Sequence, residues 1–129
     1  MHVQTSGSPR TPLAALVVTL VALTLPVAAH HGWSGYHDTQ FELTGTLETA
    51  VSLAGPHATM RVRAQGQVWD VVLAPSTRTE RAGLKEGIIP LGAPVTVSGH
   101  RHRDPNKFEV KTERVSWNGR TFNVYPDRS

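Results

Sequence analysis

The side chains in this sequence that could do chemistry are its histidines. Cysteine is absent, which removes disulfides, thiolate metal sites and thiol nucleophiles together. Any metal must therefore be held by nitrogen or oxygen, and imidazole is the strongest such donor present. His30 and His31 are consecutive, with Gly32 after them. His57 sits in the turn Gly55-Pro56-His57-Ala58 immediately before an apolar run, where proline stiffens one side and a strand the other, as a fixed ligand requires. His100 and His102 alternate in Gly99-His100-Arg101-His102-Arg103, so on a strand they share a face and could grip one metal or one anion. The competing interpretation of that stretch is a solvated basic strand end. His37 lies close in sequence to the His30-His31 pair and ranks below the others.

What makes the first pair notable is the segment before it. Residues 1–12 are polar with one arginine, and they lead into the apolar stretch Leu13 to Leu25 and then Pro26. Val27-Ala28-Ala29 has the small residues that a signal peptidase accepts, and the apolar run is shorter than the roughly 20 residues that span a bilayer. The expectation is a cleaved signal peptide over 1–29, export to the periplasm, and a single domain over 30–129 with no membrane span once processed. His30 would then carry a free α-amine, which titrates near 8 and can be displaced by a borderline cation. Amine and ring of His30 form one chelate, and the His31 ring can add to it. Gly32 stands at the third position, so the amine-X-His copper and nickel motif is not formed.

Other chemistry finds little support. The acids Asp38, Glu42, Glu48, Asp70, Glu80, Glu86, Glu109 and Glu113 are read as scattered on polar faces without an acid pair. No nucleophile elbow or glycine-rich phosphate loop is present. Trp33, Tyr36, Trp69, Phe108 and Trp117 could line a stacking surface, although aromatics at strand spacing more often belong to a core. Arg61, Arg63, Arg101, Arg103 and Lys107 could follow a polyanion, but export removes nucleic acid as a natural partner. With 13 Lys and Arg against 10 Asp and Glu in 129 residues, the net charge of +3 adds no argument for a polyanion.

The elements that must position these residues are short strands. Thr39 to Leu47 alternates Phe41, Leu43 and Leu47 against polar residues, with Gly45 where a bend or bulge would fall. Ala58 to Ala64 and Val68 to Leu73 flank the turn Gln65-Gly66-Gln67. Pro75 to Leu84 carries polar starters, a glutamate early in the segment and Gly83 at the capping position, which predicts the one helix. Val95 to His100 and Phe108 to Val115 are further strands, and Asn118-Gly119 before Thr121 to Val124 is the strongest hairpin signal. The expected fold is all-β: a small barrel of five or six strands, of the oligonucleotide/oligosaccharide-binding (OB) type, with one short helix between the third and fourth strands. A chain of this size can bury enough apolar surface to fold without metal, so any metal serves function.

The stretches Ala29-His30-His31-Gly32-Trp33-Ser34, Leu43-Thr44-Gly45-Thr46-Leu47, Gly55-Pro56-His57-Ala58, Trp69 to Pro75, Arg81-Ala82-Gly83-Leu84, Val95 to Gly99 and His102-Arg103-Asp104-Pro105-Asn106 together resemble a family of small exported Gram-negative bacterial proteins of unknown function. The resemblance covers residues 29–124 and implies a small periplasmic β-barrel with no assigned reaction. Where that family has Asn-Pro-His this chain has Gly55-Pro56-His57, and where it has Gly-Tyr-Pro-His this chain has Gly99-His100-Arg101-His102, which matches His102 and adds His100. By analogy alone, an exported histidine at position one looks like the histidine brace of lytic polysaccharide monooxygenases and copper-resistance proteins, which needs a second, distant histidine. The expectation from these observations is a periplasmic Cu(II)-binding protein, with Zn(II) or Ni(II) as alternative metals and His30, His31, His57 and His102 as ligands, engaged in copper handling or delivery. The alternative is an accessory binding module for an oligosaccharide, a peptide or an envelope protein. A copper oxidase or oxygenase built on the same brace is a third reading.

Overall fold

A computed structural model describes residues 2–4, 6–15 and 32–128. The apolar leader core, the expected cleavage point, His30 and His31 lie outside the described residues. Six strands follow from Phe41 onward: β1 (Phe41–Ser52), β2 (His57–Ala64), β3 (Gln67–Pro75), β4 (Pro94–Arg101), β5 (Glu109–Trp117) and β6 (Arg120–Asn123). One helix, α1 (Ser76–Arg81), joins β3 to β4, and a 3-10 turn over Pro126–Arg128 follows β6.

The strands pair in the order β3-β2-β1-β4-β5-β6, and β3 also pairs with β5 in parallel, which closes a five-stranded barrel and leaves β6 outside it. This is the all-β, OB-type barrel expected, with its helix between the third and fourth strands. Closure leaves few strand edges open to another chain.

β1 runs five residues past its expected end because it serves two partners. Phe41 to Thr46 pairs with β4, and Thr46 to Ser52 pairs with β2, with register shifts on the β2 side. A strand that bends at Gly45 and slips its register can turn the corner of a barrel. Both tight hairpins carry the expected turn chemistry. Gln65 and Gly66 have φ of 53° and 73°, and Asn118 and Gly119 have 49° and 73°, the paired positive values of a type I′ turn.

The helix departs from its expected form at the front. Pro75 precedes it without a side-chain cap, no acid lies in its first turn, and Glu80 falls near its end. Its C-terminus is well made: Gly83 N donates to Glu80 O at 2.9 Å and Leu84 N to Thr79 O at 3.2 Å, the two bonds of a Schellman motif. Leu84 then enters the core, as the hydrophobic member of that motif should. Trp69, Phe122, Leu43, Leu47, Met60 and Leu73 are the largest apolar side chains buried there. Trp69 is thus core, and so is Met60, which removes it as an accessible thioether.

Candidate functional site

Polar residues facing outward from β4 and β5 are expected to meet water, yet His100 (7% exposed), Lys111 (4%) and Glu113 (1%) are buried. Two segments cover them. Residues 33–40, leading into β1, cross the outside of these strands, and Tyr125 to Arg128 return over them after β6. Among the described residues no buried side-chain nitrogen or oxygen lacks a partner, so the burial is compensated.

Glu113 is central to this cover, and a β-bulge puts it there. Ser98 pairs with Arg114 and Gly99 with Thr112, so Glu113 is the extra residue on β5. Its carbonyl accepts from Val124 N at 2.9 Å and Tyr125 N at 3.1 Å, tying down the chain's last segment. Its carboxylate lies 2.9 Å from His100 Nε2, accepts from Gln40 Nε2 at 2.9 Å and has Arg128 Nε at 3.7 Å. The bulge demands a partner without a side chain: a Cβ on Gly99 would run into the Lys111 carbonyl and lie 2.9 Å from Thr112 Cα. His100 is fixed at both nitrogens, with Nδ1 donating to the carbonyl of His37 at 2.8 Å. His100 is therefore a structural residue of a buried pair, which corrects the solvated strand end considered for it; the same geometry removes Glu113 from the scattered surface acids. His37 contributes through its backbone.

Trp33 lies over this pair. Its ring meets His100 edge-on at 5.6 Å and Tyr125 at 5.2 Å between centroids. Arg128 stands over it at 3.9 Å, and Lys111 Nζ is 5.5 Å from it and 5.9 Å from the Tyr125 ring. Burial holds the Lys111 ammonium below the ordinary lysine pKa, opposed in part by Glu109. The aromatic residues do not form one open stacking platform: Trp69 lies inside with Arg101 over its ring at 5.0 Å, and Trp33 is covered by Arg128.

His57 is half-buried at the first position of β2. The turn before it is pinned by Ser76, whose hydroxyl donates to Leu53 O at 2.7 Å and is 3.2 Å from Gly55 O. Its pKa is held below the ordinary histidine value, first by desolvation and then by the Lys111 cation. The ring is neutral near pH 7 and keeps a lone pair, the state a metal ligand needs.

His102 belongs to a second group. Its backbone bridges to Tyr36, its ring packs edge-on against Tyr36 at 5.2 Å, and Tyr36 donates a hydrogen bond to Glu109. Desolvation and that carboxylate push the Tyr36 phenol above its ordinary value, so it remains a donor. His102 Nδ1 accepts the Asp104 backbone N–H at 3.0 Å. In the neutral ring Nε2 then bears the hydrogen, and His102 becomes a ligand only by giving up that bond.

The structure thus places His57 at the start of β2, where the Lys111 charge acts on it, and His102 beside Tyr36. Among the described residues no group of three or more histidine and carboxylate side chains converges as a metal site. The bulge glutamate and the buried lysine are what sequence reasoning missed. Their alternation with Val110 and Thr112 signals a strand with a polar outer side, and nothing local says that the chain's two ends will cover it.

The fold and this covered face define a small closed OB-type barrel with a histidine at the start of β2 and a buried lysine on β5. The chain belongs to DUF6152, a family of unknown function, which it matches over residues 17–111. No curated protein matches it. Among solved structures, that of a ZRD-deleted mutant of TiaS in complex with agmatine is similar with a TM-score of 0.50 and 11% identity, over 66% of this chain and 26% of that one. A complex of TiaS with an isoleucine tRNA, AMPCPP and agmatine gives 0.45 and 14%, over 60% and 18%. This chain spans about a quarter of the TiaS mutant's length, and at such identity the likeness concerns the barrel alone.

Proposed function

We propose that this chain is a periplasmic Cu(II)-binding protein, processed after Ala29, whose site joins the new amino terminus at His30 and His31 to His57, for copper handling or delivery. His102 is the further candidate ligand and would first have to release the Asp104 N–H. One observation carries the reading: His57 stands half-buried at the first position of β2, behind a turn pinned by the Ser76 hydroxyl, the fixed placement a ligand needs. Lys111 packs against the Trp33 ring and its charge lowers the His57 pKa. Three Cα–Cα steps separate His30 from Trp33, a reach of about 10 Å at full extension, and on this reading that span brings the expected chain start to the His57 ring. Amine and imidazole nitrogens without sulfur favour Cu(II), with Zn(II) and Ni(II) behind it.

The test is the intact mass of the exported protein with and without copper. A chain beginning at His30 that retains one copper, and loses it on His30→Ala or His57→Ala, supports the reading. A mature chain that keeps no metal refutes it.

A second reading, an accessory module for an oligosaccharide, peptide or envelope protein, draws on a different feature. A groove of about 430 Å³ on the outside of β1, β2 and β3 is lined by Thr49, Ser52 and Thr59, the paired Arg61 and Asp70, and Glu109. Hydroxyls and a fixed ion pair suit a hydroxyl-rich ligand. Loss of partner binding on Thr59→Val, with His30→Ala silent, would favour this reading over copper.

A further inference from the structure

We propose that the cleft between α1 and the end of β6 binds a small zwitterion, an oxyanion and a primary ammonium joined by a short carbon bridge, with phosphoethanolamine as its simplest example. The cleft encloses about 270 Å³, just under the roughly 300 Å³ at which pockets for drug-sized ligands begin, so it takes a molecule of headgroup size. Arg78 and Arg81 line it from α1, and Asn123 and Asp127 from β6 and the 3-10 turn after it. None of these residues belongs to the proposed copper site, and the inference is independent of it.

Local structure leaves both guanidinium groups to a ligand. Residues three apart on a helix are surface neighbours, so Arg78 and Arg81 lie on one face of α1. Basic residues in a last turn ordinarily serve the helix's exposed carbonyls, but here those are taken: Arg78 O accepts from Ala82 N at 3.0 Å, Glu80 O from Gly83 N and Thr79 O from Leu84 N. The acid between the arginines, Glu80, pairs with Lys85 at 3.7 Å. Among the described residues neither arginine has a carboxylate within ion-pair distance, although Asp127 lines the same cleft. A space that holds two cations and one anion apart is complementary to a molecule with opposite charges at its two ends. The guanidinium fork matches phosphate oxygens, Asp127 receives the ammonium, and Ala82 and Pro126 add apolar lining for the carbon bridge. The walls are also fixed beforehand, which lowers the cost of binding. Arg78 stands over the Tyr125 ring at 5.3 Å, and Tyr125 N is held by Glu113 O. Gly83 seats the end of the helix against β6, where a Cβ would lie 3.7 Å from the Phe122 ring.

The experiment titrates O-phosphoethanolamine, inorganic phosphate and ethanolamine separately into the protein produced from the full chain, with amide shifts followed by NMR. Phosphoethanolamine is expected to move the Ala82, Asn123 and Asp127 amides with a Kd of about 1 mM, phosphate to bind severalfold more weakly and ethanolamine to leave them unmoved. Arg81→Gln, at an exposed position that spares the contact of Arg78 with Tyr125, should weaken phosphoethanolamine about tenfold, the loss of one charge-assisted hydrogen bond. Asp127→Asn should abolish the preference for phosphoethanolamine over phosphate. Phosphate bound by the wild type as tightly as phosphoethanolamine, or a preference that survives Asp127→Asn, overturns the zwitterion assignment. Unmoved amides at about 20 mM phosphoethanolamine, well above that Kd, overturn the site. Co-sedimentation with phosphatidylcholine vesicles, with and without phosphatidylethanolamine, separates the sources of the group. Retention that needs phosphatidylethanolamine and is lost in Arg81→Gln supports a lipid headgroup, and NMR binding without retention supports a free small molecule.

Discussion

Removing Glu113 tests whether the covered face of β5 is held by a buried hydrogen-bonded pair. Truncation to leucine leaves His100 Nε2 and Gln40 Nε2, both now 2.9 Å from the carboxylate, without an acceptor in a place with 1% exposure at residue 113. Breaking a buried pair from one side typically costs about 3–5 kcal/mol, whereas replacing both partners by apolar groups is often near neutral. Arg128 sits near the surface and loses only a partner at 3.7 Å, so the low end of that range, about 3 kcal/mol, is expected for Glu113→Leu. In a domain of about 100 residues this lowers Tm by roughly 12–24 °C. The double variant His100→Leu/Glu113→Leu should lose clearly less than the sum of the two single variants, with a coupling of about 2 kcal/mol. Urea unfolding at pH 7 on the four proteins measures the cycle. A Glu113→Leu cost below about 1 kcal/mol, or strict additivity, would refute the buried pair.

Three further outcomes follow from the same geometry. Gly99→Ala forces a methyl against the β5 backbone at the bulge and should destabilise by about 3 kcal/mol or more, while Gly119→Ala, strained only by its φ of 73°, should cost about 1 kcal/mol; chemical denaturation ranks the two. The His57 ring should titrate below the ordinary histidine value by NMR, and Lys111→Met should move it back only in part, because desolvation is the larger cause and the cation the smaller. Since the folded pKa is the lower one, His57's contribution to stability is present above the unfolded value near 6.5 and is lost as pH falls through the folded value. Ser76→Ala frees the Leu53 and Gly55 carbonyls and should cost about 1 kcal/mol while loosening the His57 turn, visible as faster exchange at the Ala54 and Gly55 amides.

The barrel was legible in the sequence because each local signal agreed with the whole. Alternation placed Leu43, Leu47, Met60, Val62, Val95 and Val97 inside, and Gln65-Gly66 and Asn118-Gly119 announced their turns. The full span of β1 was not legible, since Thr49 to Ser52 lose alternation where the register slips. The His57 turn could be found because proline and the strand start are local features. The His100-Glu113 pair could not: its members stand thirteen positions apart, and a bulge shifts the phase of β5 between them. What buries the pair comes from the two ends of the barrel chain, Trp33 and Arg128. Period-two reasoning sees one strand at a time and assigns its polar side to water by default.

That difference decides which histidine variants can be interpreted. The fold rests on its apolar core and on the His100-Glu113-Gln40 network, in which His57 takes no part. His57 is half-buried at a strand end, so its truncation removes little packing, and a copper defect in His57→Ala reports on the site. His100 is different: its Nδ1 holds the His37 carbonyl and its ring supports Trp33, so His100→Ala loosens the segment that leads back to His30. On the proposed copper reading a copper defect is expected there too, with His100 acting as a support because both its ring nitrogens are engaged. The separating measurement is exchange at the Tyr36 amide, bonded to Trp33 O at 3.0 Å: protection retained with copper lost in His57→Ala marks a ligand, and protection lost together with copper in His100→Ala marks a support. Were His100→Ala to lose copper with the Tyr36 amide still protected, His100 would have to be a ligand and the buried-pair assignment would be wrong.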